Sequence, residues 1–246
     1  MDLQLITFIA IGFFAQMIDG ALGMAFGVIA SSTLIATGAP PAIASAAIHA
    51  AEVVTTAVSG ASHIWNRNVD RALFLRLAIS GVLGGILGAY ILTGLPEEIV
   101  KPIVTIYLAA MAVLIIARVA GWQFKRWQPP VPIVGGSGGF LDAIGGGGWG
   151  PIVASTLIAT GDNPRRTVGS VNVAEFFVTV AISATFFTQL DLAQYGRIVL
   201  GLIIGGVAAA PLAGYLLRVL PTRVALILVG VVVTVLSVIN LVGLFM

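Results

Sequence analysis

Four acidic side chains stand inside otherwise apolar stretches of the sequence, where they could carry protons or gate a path through a membrane. They form two pairs, Asp19 with Asp142 and Glu52 with Glu175. A charge at the centre of a bilayer costs at least about 2.5–3.5 kcal/mol, so acids at that depth usually face an interior cavity. We predict a proton-coupling or gating role for all four. Two structural interpretations stay open: neutral glutamic acids hydrogen-bonded between helices, and aspartates that cap helix ends.

A stripe of polar residues surrounds the first glutamate at helical spacing. Intervals of four, three, four and three residues place its members on one face of a helix, and part of the pattern recurs in the second half of the chain. The first set is Ser45, His49, Glu52, Thr56 and Ser59, and the second is Asn172, Glu175 and Thr179. Such a stripe should line a cavity or a helix contact. We predict that His49 and Asn172 bind substrate.

The motifs of enzyme and metal sites are missing or incomplete. His49 and Glu52 have a spacing that carboxylate metal sites use. The chain, however, has no cysteine and only one other histidine, His63. It contains no phosphate-binding P-loop. We therefore predict no catalytic residues, no metal and no cofactor, and a protein that is not an enzyme.

Two glycine-rich segments could bind an anion through backbone N–H groups. Residues 145–150 read GGGGWG and lead into Pro151, a residue favoured in the first turn of a helix, and residues 20–27 read GALGMAFG. Two opposed helix N-termini near the membrane midplane would attract an anion, whereas close helix packing is the alternative use of glycine. The predicted substrate-binding residues here are Gly23, Gly27, Gly147, Gly148, Trp149 and Gly150, with Ser32, Thr33, Ser155 and Thr156 as hydroxyl donors.

The chain as a whole has too few charges for a water-soluble protein. Its 246 residues include 12 Lys and Arg and 10 Asp and Glu, and 59% are hydrophobic, whereas about 25% of an ordinary soluble domain is charged. Continuous apolar runs of about 20 residues predict membrane-spanning helices rather than barrel strands. No basic run with interleaved aromatics points to a nucleic-acid partner, and the first residues predict no cleaved signal peptide.

The two halves of the chain repeat each other. The string STLIATG occurs at residues 32–38 and again at 155–161, and the same shift of 123 residues relates both acid pairs. We predict an all-α polytopic protein, a single integral membrane domain with two repeats, each made of a broken helical hairpin and three transmembrane helices. The first repeat (1–123) has a hairpin at 5–37 and spans at about 43–62, 72–95 and 99–119. The second (124–246) has a hairpin at 131–160 and spans at about 167–187, 196–219 and 225–244.

The positions of Lys and Arg favour helical hairpins over single spans. Two full crossings per segment would distribute the charges in the same way, but the segments are too short for them, so we predict re-entrant hairpins, which enter the membrane halfway and return. With such hairpins ten of the twelve cationic residues fall on one side and only Lys101 and Arg197 on the other, whereas single spans give seven and five. The first distribution obeys the rule that cytoplasmic loops are positively charged, and it places both termini outside. An odd number of crossings per repeat then inverts the second repeat relative to the first. Inverted repeats with broken helices are typical of transporters.

The segments that lead into STLIATG also carry a family resemblance. Residues 12–23 read GFFAQMIDGALG, and residues 139–151 read GFLDAIGGGGWGP. Over essentially its whole length the chain resembles the TauE/SafE sulfite exporter-like (TSUP) transporters. The resemblance implies transport of small sulfur-containing anions such as sulfite, thiosulfate and organosulfonates.

These observations predict a multi-pass secondary transporter of the cell membrane. A small anion would lie between the two hairpin tips, protons could be coupled through the four acids, and the lipid bilayer would surround the protein. Three alternatives stay open: an anion channel of the same architecture, a membrane-embedded enzyme, and a metal-cation transporter that uses the buried carboxylates.

Overall fold

The structure, a computed structural model, describes residues 3–22, 25–120, 129–159, 164–219 and 222–244, and these contain helices and no β-strand. The first half consists of α1 (Leu3–Leu22), α2 (Phe26–Ala36), α3 (Pro41–Trp65), α4 (Arg71–Gly94) and α5 (Glu97–Val119). The second half begins with α6 (Val131–Gly145) and a π-helical turn (Gly150–Ala154) that continues into α7 (Ser155–Ala159). It ends with α8 (Pro164–Gln189), α9 (Leu192–Val219) and α10 (Thr222–Val242). The predicted all-helical class is confirmed.

Several of these helices suit a membrane. Over the described residues, four are long and apolar enough to cross one: Pro41–Trp65, Arg71–Gly94, Glu97–Ala117 and Arg165–Gln189. Shorter apolar stretches lie in α9 (Tyr195–Ala210) and α10 (Gly230–Val242). Large apolar side chains such as Leu83, Val113 and Val231 project outward from α4, α5 and α10. An outer surface of this kind is stable in lipid.

Both opening segments are interrupted where the glycines predicted a break. α1 ends at Leu22 and α2 begins at Phe26, whereas α6 ends at Gly145 before the π-helical turn at Gly150. Gly146 and Gly147 turn the chain there with φ angles of 66° and 148°, which glycine adopts without the strain that other residues would suffer. The two-helix form of each segment agrees with a hairpin, and the inverted orientation of the repeats stays a prediction.

The helices pack in pairs that exchange partners between the repeats. α1 packs along α9 and α6 along α4, while α3 packs on α8 and α5 on α10. Under the shift of 123 residues α1 corresponds to α6 and α9 to α4, so the first two pairs are counterparts of each other. Both rely on close backbone approach: a Cβ on Gly84 would overlap the Gly136 carbonyl, and one on Gly205 would overlap the Ile9 carbonyl. Each of the four pairs joins a helix of the first half to a helix of the second half.

Candidate functional site

The aspartate of each repeat caps the short helix that follows the break. Asp19 Oδ1 accepts hydrogen bonds from the backbone N–H groups of Ala25 (2.7 Å) and Phe26 (3.1 Å). Asp142 Oδ1 accepts one from the N–H of Trp149 (2.9 Å), which corresponds to Phe26. Carboxylates are favoured at helix N-termini because unpaired N–H groups and the helix dipole both attract negative charge. The geometry thus supports the capping interpretation. Each aspartate accepts hydrogen bonds from backbone N–H groups at a break, where the sequence predicted an anion site.

The two breaks touch each other beside Glu52. A Cβ built on Gly27 would lie 2.5 Å from the Gly147 Cα and 3.2 Å from Glu52 Oε1, so neither glycine leaves space for a side chain. Tyr107 fixes the second break by donating a hydrogen bond from its hydroxyl to the Gly147 carbonyl oxygen (2.9 Å). The tips of both predicted hairpins therefore meet at one point inside the bundle, with a glutamate next to that point.

A cavity of about 280 Å³ begins at this meeting point and runs along α3 and α8. We call it the acidic cavity, because three carboxyl groups and no Lys or Arg occur among its described lining residues. That lining comprises Gln16, Asp19, Phe26, Glu52, Thr55, Thr56, Ser59, His63, Val168, Asn172 and Glu175. Glu52 is 7% exposed, whereas Ser59, His63 and Val168 are half-buried. The cavity consequently opens toward the end of α3 and the start of α8, about 16 Å along the helix from Glu52.

The polar stripe of α3 lies at the interface with the second repeat, on the face that its spacing predicted. Ser45 Oγ donates to the Ala143 carbonyl oxygen (2.6 Å), and Ser59 Oγ donates to Asn172 Oδ1 (2.7 Å). Between them Thr56 Oγ1 is 3.3 Å from Thr179 Oγ1. Because these threonines are each other's counterparts, their contact marks the place where the two repeats face each other directly.

One contact breaks the equivalence of the repeats. About one turn before Glu52, on the same face of α3, His49 Nε2 lies 3.3 Å from Asp142 Oδ2, and His49 Nδ1 lies 2.8 Å from the Ser45 carbonyl oxygen. All three residues are buried. A carbonyl oxygen can only accept, so Nδ1 carries a hydrogen, and a proton must also lie between Nε2 and Oδ2 for that contact to be attractive.

The positions that correspond to this pair in the other half face a cavity. Asn172 and Asp19 correspond to His49 and Asp142, and both line the acidic cavity. Asn172 accepts from Ser59 and donates from Nδ2 to the Val168 carbonyl oxygen (3.1 Å). Its side chain is shorter than that of histidine and is engaged along α8 itself. The His49–Asp142 contact is thus replaced in the other half by the acidic cavity, which Asn172 and Asp19 line.

The other predicted binding residues lie away from the described lining of the acidic cavity. Trp149 is fully buried, and its Nε1 donates to the Val171 carbonyl oxygen (3.1 Å). The hydroxyls of Thr33 and Thr156 donate to carbonyl oxygens four residues earlier on their own helices. Ser32 and Ser155 are buried without a hydrogen-bond partner among the described residues. Gly148 lies against the Tyr107 hydroxyl, Gly150 begins the π-helical turn, and Gly23 falls outside the described residues.

Some lining residues were not predicted although a signal for them existed. His63 continues the α3 stripe, four residues after Ser59, and Gln16 precedes Asp19 by three residues on the same face of α1. Helical spacing extended beyond the first clear members would have found both. Tyr107 carried no such signal, because its partner Gly147 lies 40 residues away in the sequence.

Comparison with known proteins gives one family and one curated relative. The family model described as "Sulfite exporter TauE/SafE" matches residues 8–241. The "Probable membrane transporter protein YtnM" of Bacillus subtilis (strain 168) is 40% identical over 238 residues, which cover 92% of this chain and 79% of the relative. No solved structure matches the chain.

Proposed function

Because the chain belongs to the TauE/SafE sulfite exporter family, and is thus a membrane transporter and not an enzyme, we propose that it carries small sulfur-containing anions as a secondary transporter. Sulfite, thiosulfate and organosulfonates are the proposed substrates. The observation that carries the proposal is the acidic cavity, which reaches from the end of α3 to the meeting point of the two breaks. Its volume of about 280 Å³ suits a small ion better than a drug-sized ligand, whose pockets measure about 300–1,000 Å³.

Proton coupling follows from the charge of this cavity. Two like unit charges about 4 Å apart repel by about 4 kcal/mol at an effective dielectric constant of about 20. An anion therefore gains from entering only when Glu52 and Glu175 are protonated, because a neutral carboxyl group donates a hydrogen bond instead of repelling. In this mechanism the anion and at least one proton cross together.

The anion would bind at the first break, where the acidic cavity ends. Asp19 and Phe26 line the cavity there, and Gly27 and Val28 belong to the first turn of α2, whose N–H groups lack partners within the helix. The second break supplies Gly147 and its neighbours at the same point. Asp19 already accepts two of these N–H groups, so binding is favoured when that carboxylate is protonated or moves aside.

Alternating access would come from exchanging the roles of the two repeats. The His49–Asp142 pair closes one side, and its counterpart positions Asn172 and Asp19 stand apart on the open side. Breaking this contact would then open the closed side.

Flux measurements in proteoliposomes test this proposal. We expect saturable uptake of labelled sulfite or a sulfonate, faster when the opposite compartment is less acidic. Glu52→Gln should keep sulfite exchange across the membrane, because the amide imitates the protonated acid, but it should lose acceleration by a pH gradient. Glu98→Gln, an exposed acid in the first turn of α5, is the matched control and should behave like the unmodified protein. Absence of saturable flux across a panel of sulfur anions would disprove anion transport.

A metal-cation carrier is the second candidate, because three carboxyl groups in one cavity also attract cations. Within the described residues, no group of three or more His, Asp and Glu side chains is placed to hold a metal ion. The same proteoliposomes distinguish the two functions. If the protein takes up a divalent cation, sulfite does not inhibit that uptake and sulfite itself is not transported, the substrate is a cation and not an anion.

A further inference from the structure

A second polar cavity, of about 440 Å³, lies beside the mouth of the acidic cavity. We call it the arginine pocket. Arg76 of α4 and Arg166 of α8 line it together with Asp70, Thr167 and Val131. Asp70 caps α4 there, since its Oδ1 accepts from the N–H groups of Ala72 (2.9 Å) and Leu73 (3.0 Å). Two guanidinium side chains thus line one concave site.

The equivalent cavity in the other half has no such charges. It measures about 530 Å³, and its described lining contains Phe8 and Ile43, the counterparts of Val131 and Arg166, with no charged residue. Helix packing therefore produces a crevice at both places, whereas the arginines occur in only one. The general excess of positive charge on one side of a membrane explains why both arginines lie on the same side. It does not require two arginines to line the same cavity.

The arginine pocket adjoins the path proposed above. Thr167 lines it and the next residue, Val168, lines the acidic cavity, so both cavities open at the start of α8. An anion approaching a cavity with three carboxyl groups meets a repulsive field. Cationic side chains at the entrance oppose that field and raise the local anion concentration. Arginine suits this task because its planar group binds oxyanions through two parallel N–H bonds.

We propose that the arginine pocket is a binding site for an oxyanion head group, either a free sulfur oxyanion or the phosphate of an anionic lipid. For a free anion the inference rests on the proposed transport function, and the pocket holds the substrate before it enters the acidic cavity. Both sources present several negatively charged oxygens on one central atom, so the guanidinium chemistry is the same. They differ in whether the ligand arrives from water or from the bilayer.

Binding to purified protein tests the site without requiring transport. Inorganic sulfate is titrated by calorimetry into the protein in a neutral detergent at low ionic strength. We expect saturable binding that weakens at least about tenfold in the double variant Arg76→Gln/Arg166→Gln. Arg71→Gln is the control, because this exposed arginine on the first turn of α4 is not among the residues that line the pocket. Equal sulfate binding by the double variant and the control would place the anion elsewhere and overturn the proposal.

Two further measurements identify the source of the oxyanion. If the ligand is a free anion, the double variant in phosphatidylcholine vesicles should show a KM raised about tenfold with its maximal flux kept. If it is a lipid phosphate, sulfate should not bind, and phosphatidylglycerol should raise the Tm of the unmodified protein but not that of the double variant. If sulfate does not bind and phosphatidylglycerol does not raise the Tm of the unmodified protein more than that of the double variant, the site is refuted. If the protein binds sulfate through these arginines but transports no sulfur anion, the binding site is supported and the proposed transport function is rejected.

Discussion

Replacing His49 by Asn, the residue at the corresponding position 172, should open the closed side of the transporter. In the structure His49 Nε2 reaches Asp142 Oδ2 across the interface of the two repeats, and both residues are buried. An asparagine is shorter and leaves Oδ2 without this partner. The closed arrangement should then become less stable on that side. Asp142 would lack its contact with residue 49, and the side chains of Asn172 and Asp19 stand apart in the same way in the other half.

The size of the effect follows from the contact. Hydrogen bonds to charged groups contribute about 1.5–3 kcal/mol. The His49–Asp142 distance of 3.3 Å is long compared with about 2.7–2.9 Å for a good charge-assisted bond. We therefore use the lower part of that energy range, about 1.5–2 kcal/mol. Since about 1.4 kcal/mol is a factor of ten in an equilibrium constant, the open population on this side should rise roughly 10- to 30-fold.

Thiol labelling measures this population directly, because the chain contains no cysteine of its own. Ser45→Cys places a thiol beside His49 on the closed side, and Val168→Cys places one at the counterpart position, where the acidic cavity opens. With an impermeant reagent, Val168→Cys should react rapidly and Ser45→Cys slowly. Adding His49→Asn should accelerate the labelling of Ser45→Cys by the same 10- to 30-fold.

The matched control is the effect of His49→Asn on Val168→Cys, whose labelling should stay equal or become slower. Labelling from each side of oriented vesicles adds a further check, because the two thiols should react with reagent from opposite sides. If His49→Asn left the labelling rate of Ser45→Cys unchanged, the pair would be a packing contact and not a gate, and the reasoning from repeat asymmetry would fail.

Three further substitutions test the breaks and their supports. Gly27→Ala should lower the unfolding free energy by about 1–3 kcal/mol, because its Cβ has no space, while Gly94→Ala, with no atom within 4 Å, should not; thermal unfolding in detergent compares them. Tyr107→Phe should cost about 0.5–1.5 kcal/mol through the lost hydrogen bond at the second break, in contrast to Tyr90→Phe on the outer surface. Asp142→Asn keeps an acceptor for the helix cap, so stability should change little. Its amide can still donate a hydrogen bond to the histidine ring, so labelling of Ser45→Cys should change less than it does with His49→Asn.

Local spacing predicted what lies on one helix face, and it succeeded on α3. The intervals from Ser45 to Ser59 required a common face, and the structure places that face against the second repeat and the acidic cavity. The helical class, the position of both breaks and the family were predicted in the same way, because each depends on residues close in the sequence or on a motif read as a string.

The contacts that define the site depend on chain folding over long distances. His49 and Asp142 are 93 residues apart, and no spacing rule relates them. The aspartates were predicted either to cap or to function, and the choice depended on where the N–H groups seven residues later would point after a glycine-rich turn. Glycine permits many turn conformations, so its presence fixes the location of the break and leaves the geometry to tertiary packing.

Duplication explains why so few substitutions suffice to make the two halves different. Two identical repeats would build the same contact twice, so both gates would have equal energies and no state would be favoured. Here the acid is retained in both breaks, whereas His49, which contacts it in one half, is replaced by Asn172 at the equivalent position. This change of a single side chain leaves a direct contact in one half and the acidic cavity at the equivalent place in the other. We therefore expect the two gates proposed above to differ in strength, so that one of the two alternate states is favoured at rest.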